Sequence, residues 1–195
     1  MPSVTNIGSC AFNNCVGLTN ISVPLVTNIG SYGFANCSSL VSVNLLETTH
    51  IGSYAFSACT SLVNINLPNV TTIYNGAFSG CTSLLSIDLP LATSVCSNVF
   101  QKCQSLASVN IPKLSTIEYA TFESCYSLTN INIPSATTIS DYAFAYCSAL
   151  TSVDFSLVTS IGSNAFLNCS ELTSINFPAA ISIKNSAFYS CSKLT

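Results

Sequence analysis

The chain has 195 residues, of which 49% are apolar and 6% are charged, and its formal net charge is −3. This length suffices for one folded unit with its own core, and the composition lacks the low hydrophobicity of disordered chains. The four basic residues are all Lys and are scattered along the chain, so there is no basic face for a nucleic-acid partner. No apolar run approaches the roughly 18 residues that would span a bilayer.

An internal repeat of 22 residues runs through the whole chain without insertion or deletion. It is visible as four apolar columns, in which equivalent positions of successive repeats carry the same residue type. The columns are Leu18 to Leu194, Phe12 to Phe188, Cys15 to Cys191, and Ile7 to Ile183 with Val95 as its one substitution. Such a period predicts a solenoid in which each repeat forms one coil.

The elements of one coil follow in chain order from the apolar pattern. Ile65 and Leu67 alternate with Asn64 and Asn66, which predicts a short half-buried strand, and Pro68 ends it because it has no N–H to donate. In the next side of the coil, Val70 and Ile73 point inward and Thr71 and Thr72 point outward.

The return segment places Ala77 and Phe78 before Cys81 and Leu84, with apolar residues three positions apart. This spacing predicts a short helical or 3₁₀ turn. We also read Gly8, Gly30, Gly52 and Gly162 as residues whose conformational freedom serves a corner of the coil.

The predicted fold is therefore a leucine-rich-repeat solenoid with a parallel sheet on one face and short helical turns on the other. Residues 1–195 form a single array of about nine coils, stacked about 4.8 Å apart. Leu194 and Thr195 stop in mid-repeat, which indicates a segment of a longer repeat protein. No signal peptide is visible in the residues after Met1.

The repeat resembles the BspA-like leucine-rich repeat. The resemblance rests on the string from Leu18 to Leu40, on Ile-Gly-Ser-Tyr-Ala-Phe at residues 51–56, and on Cys59 and Leu62. It implies a curved solenoid with a concave parallel sheet, on cell-surface or secreted proteins of bacteria and some protists that act as adhesins. The chain departs from that pattern because Pro68 and Val70 enclose one residue, Asn69, where the family has two.

The Cys column invites three interpretations. Zinc ligation would need converging thiolates, and disulfides between coils would need converging Cβ vectors, whereas stacked positions run parallel. We therefore interpret the column as buried, unpaired thiols that pack as small apolar groups. Cys10 and Cys96 fall outside the column and are the more reactive candidates. We expect no metal and no cofactor.

Catalysis is not supported by any constellation of residues, so we expect the protein not to be an enzyme. His50 occupies an outward column shared with Asn28, Thr72 and Ser94, where a surface role explains it. Asp88 and Asp154 share a column but lie three coils apart, about 14 Å, which is too far for paired carboxylates of a glycosidase.

Two outward columns on the predicted strand tile one face with short polar side chains. Together they could bind a protein or a glycan through many weak hydrogen bonds, or they could only hydrate the sheet and bond one another. The candidate ligand-binding residues on this concave face are Asn20, Asn44, Asn64, Asn66, Asp88, Asn110, Asn130, Asn132, Asp154 and Asn176.

The predicted function is thus a non-catalytic module of a cell-surface or secreted adhesin whose partner is a protein or glycan on another cell or matrix. The alternative is a structural spacer or a shaft that associates end to end through uncapped coils. A third reading is ice binding by the outward Thr column, from Thr27 to Thr159 with Ser115 as a substitute. Extra tyrosines at Tyr119, Tyr126, Tyr142 and Tyr146 favour partial burial at a corner over an interface.

Overall fold

The computed structural model describes residues 3–195, which form a succession of short parallel strands and turns repeated every 22 residues. Each coil has three sides. The first carries a three-residue strand, the second a two-residue strand, and the third a series of turns. This confirms the predicted 22-residue solenoid.

The three-residue strands form what we call the long-strand face. Each has a central apolar residue between two polar ones, as the period-2 pattern predicts. These strands are β2 Asn20–Ser22, β4 Ser42–Asn44, β7 Ser86–Asp88, β9 Ser108–Asn110, β11 Asn130–Asn132, β13 Ser152–Asp154 and β15 Ser174–Asn176. The central residue is buried in β4, β7, β9 and β13, half-buried in β2 and β11, and exposed in β15.

The two-residue strands form the short-strand face. They are β1 Asn6–Ile7, β3 Asn28–Ile29, β5 His50–Ile51, β6 Thr72–Ile73, β8 Ser94–Val95, β10 Thr116–Ile117, β12 Thr138–Ile139, β14 Ser160–Ile161 and β16 Ser182–Ile183.

All pairing between these strands is parallel and in register, so that each residue lies beside its equivalent 22 positions along the chain. The pairing is interrupted at three places. The short-strand face divides between β8 and β10, and the long-strand face divides between Asn66 and β7 and again between β11 and β13.

The third side is where the sequence-based expectation is wrong, because no helix or 3₁₀ helix forms in residues 3–195. Instead, single turns such as Cys81 N to Phe78 O, 3.1 Å, alternate with bonds to the next coil, such as Phe56 N to Ala77 O, 2.7 Å. The reason is backbone conformation: Gly76 and Gly80 have φ of 62° and 76°, and left-handed residues four positions apart prevent a right-handed helix.

Most other residues at these two left-handed positions are not glycine. Among them are Tyr32, Tyr54 and Ala58, each with φ of 57°. Left-handed backbone costs an L-residue about 1–2 kcal/mol, so the inter-coil hydrogen bonds of this side must offset that cost in every coil.

The core consists of the predicted columns. Phe34 to Phe166 are fully buried, and successive rings from Phe12 to Phe188 stack with centroids 5.0 to 5.7 Å apart. The Leu and Ile columns fill the remaining interior between the two strand faces. Thr48 is the polar exception in an apolar column of Val, Ala and Leu, and its hydroxyl donates to Val26 O at 2.7 Å.

Candidate functional site

The long-strand face contains all ten predicted binding residues. Nine of them are exposed and Asn110 is half-buried. Asn64 lies just before the bridge residue Asn66, and the other eight belong to three-residue strands. The structure therefore brings them together as two polar columns along the solenoid, as the sequence pattern indicates.

Side-chain hydrogen bonds run along the column that contains Asp88. Asn132 Nδ2 donates to Asn110 Oδ1 at 2.6 Å, and Asn110 Nδ2 donates to Asp88 Oδ1 at 2.7 Å. Asn176 Nδ2 donates to Asp154 Oδ1 at 3.0 Å. In the neighbouring column, Ser42 Oγ donates to Asn20 Oδ1 at 2.7 Å. Part of the polar capacity of the face is thus satisfied internally.

An aspartate follows each interruption of the long-strand face. Asp88 lies on the first strand after the gap that follows Asn66, and Asp154 lies on the first strand after the gap that follows β11. Each carboxylate accepts an amide N–H from the following coil and none from the preceding one. The negative charges of the face are therefore concentrated beside its two gaps in strand pairing.

A cavity of about 190 Å³ lies at the second gap, between β11 and β13. Its polar lining includes Asn130, Ser152 and Asp154, and its apolar lining includes Ile131 and Phe155. A shallower cavity of about 370 Å³ lies over β2 and β4, lined by Asn20, Ser42 and Asn44 among others. Both cavities lie on the face that the sequence singled out.

The Cys column lies in the core, as expected. Cys37, Cys59, Cys81, Cys103, Cys125, Cys147 and Cys169 are buried and unpaired, whereas Cys15 is exposed and Cys191 is half-buried. Burial raises the pKa of Cys59 and of Cys103 to about 12. The structure therefore supports buried, protonated thiols.

The sequence did not reveal that these thiols are hydrogen-bond donors. Each thiol from Cys37 to Cys191 donates to the carbonyl of the Phe 25 residues earlier, as in Cys59 Sγ to Phe34 O at 3.1 Å and Cys103 Sγ to Phe78 O at 3.2 Å. Outside the column, Cys10 is exposed and Cys96 is half-buried.

The residues considered for catalysis do not converge. His50 is exposed on β5 and its Nδ1 is 2.9 Å from the hydroxyl of Thr49. Asp88 and Asp154 lie on separate strands three coils apart. In residues 3–195, no group of three or more His, Cys, Asp or Glu side chains is arranged to hold a metal ion.

The glycine column has a different role from the one inferred from the sequence. Gly8, Gly30, Gly52 and Gly162 do not have positive φ; instead, a Cβ at Gly30 would lie 2.5 Å from Ser9 N, and one at Gly52 would lie 2.7 Å from Ile29 O. The coils approach too closely there for a side chain to point into the gap. At Gly30, Gly52 and Gly162 the preceding coil leaves no room for a Cβ, which a single repeat cannot show, whereas other coils carry side chains at this position.

The same column, which carries side chains in other coils, runs along a groove on the short-strand face. Three cavities lie along it. They are a cavity of about 410 Å³ over Gly8, Gly30 and Gly52, one of about 200 Å³ beside Cys96 and Glu118, and one of about 260 Å³ beside Asp141, Gly162 and Lys184. The sequence-based analysis missed this groove.

The tyrosines are more exposed than predicted. Tyr119, Tyr126 and Tyr146 are exposed and Tyr142 is half-buried, with Tyr119 and Tyr142 in edge contact at 5.8 Å. Tyr32 and Tyr54 are exposed as well and stack at 5.2 Å. Left-handed backbone at Tyr32, Tyr54, Tyr142 and Tyr146 places these side chains at the surface of the turn side.

The Thr column on the short-strand side is used for bonds between coils. The hydroxyl of Thr49 donates to Thr27 O at 3.2 Å, and the hydroxyl of Thr137 donates to Ser115 O at 3.1 Å. Because the single O–H of such a hydroxyl is already donated to a backbone carbonyl, the hydroxyl can only accept a hydrogen bond from a ligand.

No helix of membrane-spanning length and apolarity occurs in residues 3–195. A search of curated protein sequences finds no match.

Solved structures of bacterial repeat proteins resemble the chain. A leucine-rich repeat protein of T. pallidum is 29% identical, with a TM-score of 0.70 over 75% of this chain and 72% of that one. A leucine-rich cell surface protein of Faecalibacterium prausnitzii is 26% identical, with a TM-score of 0.56 over 98% and 70%. A leucine-rich repeat protein of Eubacterium ventriosum, 20% identical with a TM-score of 0.51 over 97% and 75%, shares the fold.

The model of the BspA type leucine-rich repeat region matches residues 1–94 and 71–195, and therefore the entire chain. Repeats of this kind are protein-binding or structural modules and are generally not enzymes. The matched residues include the glycine, Phe, Cys and Leu columns whose packing is described above. The chain belongs to the BspA-type leucine-rich repeat family.

Proposed function

We propose that the chain is a non-catalytic binding module of a bacterial cell-surface or secreted adhesin, and that its long-strand face contacts a protein or glycan on another cell or matrix. The family supports a binding module, and the similar Faecalibacterium prausnitzii protein is described as a cell surface protein. The observation that carries the proposal is the hydrogen-bonded column of Asp88, Asn110 and Asn132.

These side-chain hydrogen bonds order the amides but do not use all of their donors and acceptors. An amide has two N–H donors and two acceptor sites, and Asn110 uses one donor toward Asp88 and one acceptor toward Asn132. The remaining donor and acceptor are available to a ligand. Because the side chains are already ordered, binding costs less side-chain entropy than it would on a surface of free rotamers.

An apolar border adds to the interaction surface. Val41 and Leu85 are exposed and Val63 is half-exposed, and all three occupy the position that directly precedes the polar columns. Together with the opening lined by Ile131 and Phe155, they supply apolar contact area beside fixed polar groups. Protein interfaces combine these two kinds of surface.

The proposal is tested by surface plasmon resonance of the protein over fibronectin, fibrinogen, laminin and collagen, together with a glycan array. A variant with Asn64, Asn66, Asp88 and Asn110 changed to Ala is expected to lose at least ten-fold in affinity for any ligand bound by the wild type. A matched variant with Asn28, His50 and Thr72 changed to Ala, on the short-strand face, keeps that affinity. Equal binding by all three proteins would exclude the long-strand face.

A structural spacer is the second candidate, supported by the uninterrupted stack of Phe rings through the coils. It predicts no ligand in the preceding panel, together with concentration-dependent growth of particle mass in light scattering. Monomers at all concentrations, combined with specific ligand binding, would exclude it.

A further inference from the structure

We propose that the cavity of about 190 Å³ between β11 and β13 binds the acetamido group of a neutral N-acetylhexosamine. Because the cavity lies on the long-strand face, this inference rests on the function proposed above and names a ligand class for that face. Each of the two strands that bound the cavity pairs with a further strand on its other side, β11 with β9 and β13 with β15. Four successive coils of the array therefore set its shape.

The two strands face one another across the second gap without backbone hydrogen bonds. Where strands of this face pair, the residue after one strand donates to the last residue of the next, as Ile111 N does to Asn132 O at 2.9 Å. The equivalent bond from Ile133 N to Asp154 O is not formed, and no other backbone bond joins these two described strands. The backbone groups at the gap are therefore available to a ligand.

The loss of pairing is more complete here than at the first gap. At the first gap, Leu85 N still donates to Val63 O at 3.1 Å. The equivalent bond from Thr151 N to Thr129 O is not formed between the described residues of the second gap. Because Thr129 also lines the cavity, the separation of the strands extends to the residues before them.

The backbone groups at this gap include donors and acceptors on both sides. Alternate residues of a parallel strand direct their N–H and C=O to opposite neighbours. Since Asn132 O faces the preceding coil, the N–H and C=O of Ile131 face β13, and by the same alternation those of Ser152 and Asp154 face β11. A secondary amide has one N–H donor and one C=O acceptor, so it can donate to one strand and accept from the other. An acetamido group therefore supplies hydrogen bonds that the ladder lacks at this point.

The apolar lining of the cavity suits the methyl of an acetyl group. It consists of Ile131, Val153 and Phe155, of which the last two are buried. A methyl group gains apolar contact in such surroundings, whereas the charged amine of a sugar without the acetyl group would lose hydration there. The lining therefore favours an acetylated amino sugar over its free amine.

The position of the gap coincides with a change of residue type in the core. Phe155 directly follows β13, and the same position carries an aliphatic residue in the six preceding coils, namely Val23, Leu45, Leu67, Leu89, Ile111 and Ile133. The ring of Phe155 lies 5.9 Å from that of Phe144, and it stacks on Phe177 in the next coil at 6.0 Å. We attribute the separation of β11 and β13 to this step from an aliphatic to an aromatic side chain.

The polar residues around the cavity favour a neutral sugar among the molecules that carry an acetamido group. Asp154 is exposed, and its Oδ1 accepts from Asn176 Nδ2 at 3.0 Å, which leaves Oδ2 for a sugar hydroxyl. Asn130 and Ser152 are exposed beside it. An acetylated lysine side chain has the same acetamido group but no hydroxyl groups for Asp154, and the carboxylate of an anionic sugar would be repelled by that of Asp154.

The test is a titration of the intact chain followed through its backbone amide signals in two-dimensional NMR. The probes are the methyl β-glycosides of N-acetylglucosamine and N-acetylgalactosamine. Methyl β-glucoside and methyl β-galactoside, which lack the acetamido group, are the controls, and N-acetylneuraminic acid and Nε-acetyllysine represent the other sources of that group. We expect at least one N-acetylhexosamine to shift the amide signals of Ile131 and Asp154, and the controls to bind about ten-fold more weakly or less.

Two variants test the residues of the cavity. Phe155→Leu removes the ring that contacts the methyl group and permits β11 and β13 to pair, and both effects should lower the affinity about ten-fold. Phe177→Leu is its matched control, because it makes the same change outside the cavity, after strands that already pair. Asp154→Asn should also lower the affinity, and Glu47→Gln, an exposed carboxylate outside the cavity, should not. Circular dichroism verifies that each variant is folded.

The proposal is overturned if neither N-acetylhexosamine shifts the signals of Ile131 and Asp154, or if the glycosides without an acetamido group bind as tightly. Preference for N-acetylneuraminic acid or Nε-acetyllysine, or wild-type affinity in folded Phe155→Leu, would also overturn it.

Failure of this inference is distinguishable from failure of the function proposed above. A macromolecule that binds through Asn64, Asn66, Asp88 and Asn110, in a protein that binds no N-acetylhexosamine, would refute the acetamido site and support the adhesin face. An N-acetylhexosamine bound at the cavity, with every macromolecule indifferent to those four residues, would do the reverse.

Discussion

At the scale of the residue, the Cys column shows why a thiol recurs where another small apolar group would fill the space. The carbonyl of Phe78 accepts two hydrogen bonds, from Cys81 N at 3.1 Å and from Cys103 Sγ at 3.2 Å. One bond closes a turn within a coil and the other joins neighbouring coils. A thiol is small enough for the core and also supplies the second donor.

The buried thiols are expected to resist alkylation. In native protein under reducing conditions, iodoacetamide should modify Cys10 and Cys15 readily and leave Cys103 unmodified, because the thiolate is the reactive form and burial both hides Cys103 and raises its pKa to about 12. Peptide mass spectrometry after timed quenching measures the rates.

Unfolding in urea provides the control for alkylation, since Cys103 should then react at the rate of Cys10. Modification of Cys103 in the native state at the rate of Cys10 would contradict the buried column.

Much of this residue-scale structure could be predicted, because a repeat that preserves Phe78 or Cys81 in every copy identifies the core by itself. The donor role of the thiols could not, since a bond to a carbonyl 25 residues away depends on how neighbouring coils are offset. Gly30 was a visible signal that we interpreted wrongly: proximity to Ser9, and not turn conformation, requires it.

At the scale of the element, the gap between β8 and β10 coincides with larger residues in the core. The column next to Phe carries Ala55, Ala77 and Ala143 but changes to Val99 and Thr121 in the two coils beside the gap. Both are fully buried, and the adjacent Phe rings separate to 5.7 and 5.5 Å. We attribute the loss of pairing to overfilling of the core at these two positions.

Smaller side chains at Val99 and Thr121 are expected to restore strand pairing between β8 and β10. In the wild type, Glu118 N has no partner across the gap, whereas Ser140 N donates to Ile117 O at 2.8 Å. With Val99 and Thr121 both changed to Ala, the amide of Glu118 should pair with the preceding coil and exchange with deuterium at least ten-fold more slowly. Amide exchange followed by NMR provides the measurement.

Val70→Ala is the control for this double variant, because it also removes volume from the core, but in a coil whose short strands already pair. Glu118 should exchange at the wild-type rate in that protein. Rapid exchange of Glu118 in the double variant would show that core volume is not the cause of the gap.

Strand positions were predictable because Ile65 and Leu67 alternate with Asn, which is the pattern of a half-buried strand. The turn side was not, because most residues at its left-handed positions, including Tyr54 and Ala58, carry no sequence signal for that conformation. The gap between β8 and β10 was also unpredictable, since we relate it to the volumes of Val99 and Thr121 in one column of two coils.

At the scale of the whole molecule, each coil bonds only to its neighbours, so stability is a sum of similar interfaces. Seven buried thiols recur in these interfaces. Burial raises the pKa of six of them, and a hydrogen bond with the Cys191 thiol, together with burial, raises the pKa of Cys169. In the unfolded chain the same thiols have the ordinary pKa of a cysteine, near 9.0. The folded state therefore retains protons that the unfolded state releases, and stability declines as pH rises above about 9.

Urea unfolding under reducing conditions is expected to show this decline between pH 8.5 and 10.5. The contribution of Cys103 to the free energy of unfolding is fully present below the pKa of the unfolded thiol. It is lost progressively as the pH rises toward the pKa of about 12 in the folded state. Over this interval each buried thiol contributes a loss of up to about 2 kcal/mol. Cys103→Ala should lose correspondingly less, because it has one titrating thiol fewer. A parallel decline in the variant and the wild type would contradict a role for this thiol.

The stacking of coils also determines how the molecule responds to a pulling force along its axis. Neighbouring Phe rings are 5.0 to 5.7 Å apart, whereas the 22 residues of one coil extend to roughly 75 Å when drawn straight. Because each coil bonds only to its neighbours, tension would peel coils away one at a time, each releasing a similar length of chain. A module anchored at one end and bound at the other would then lengthen in equal steps before its attachment failed.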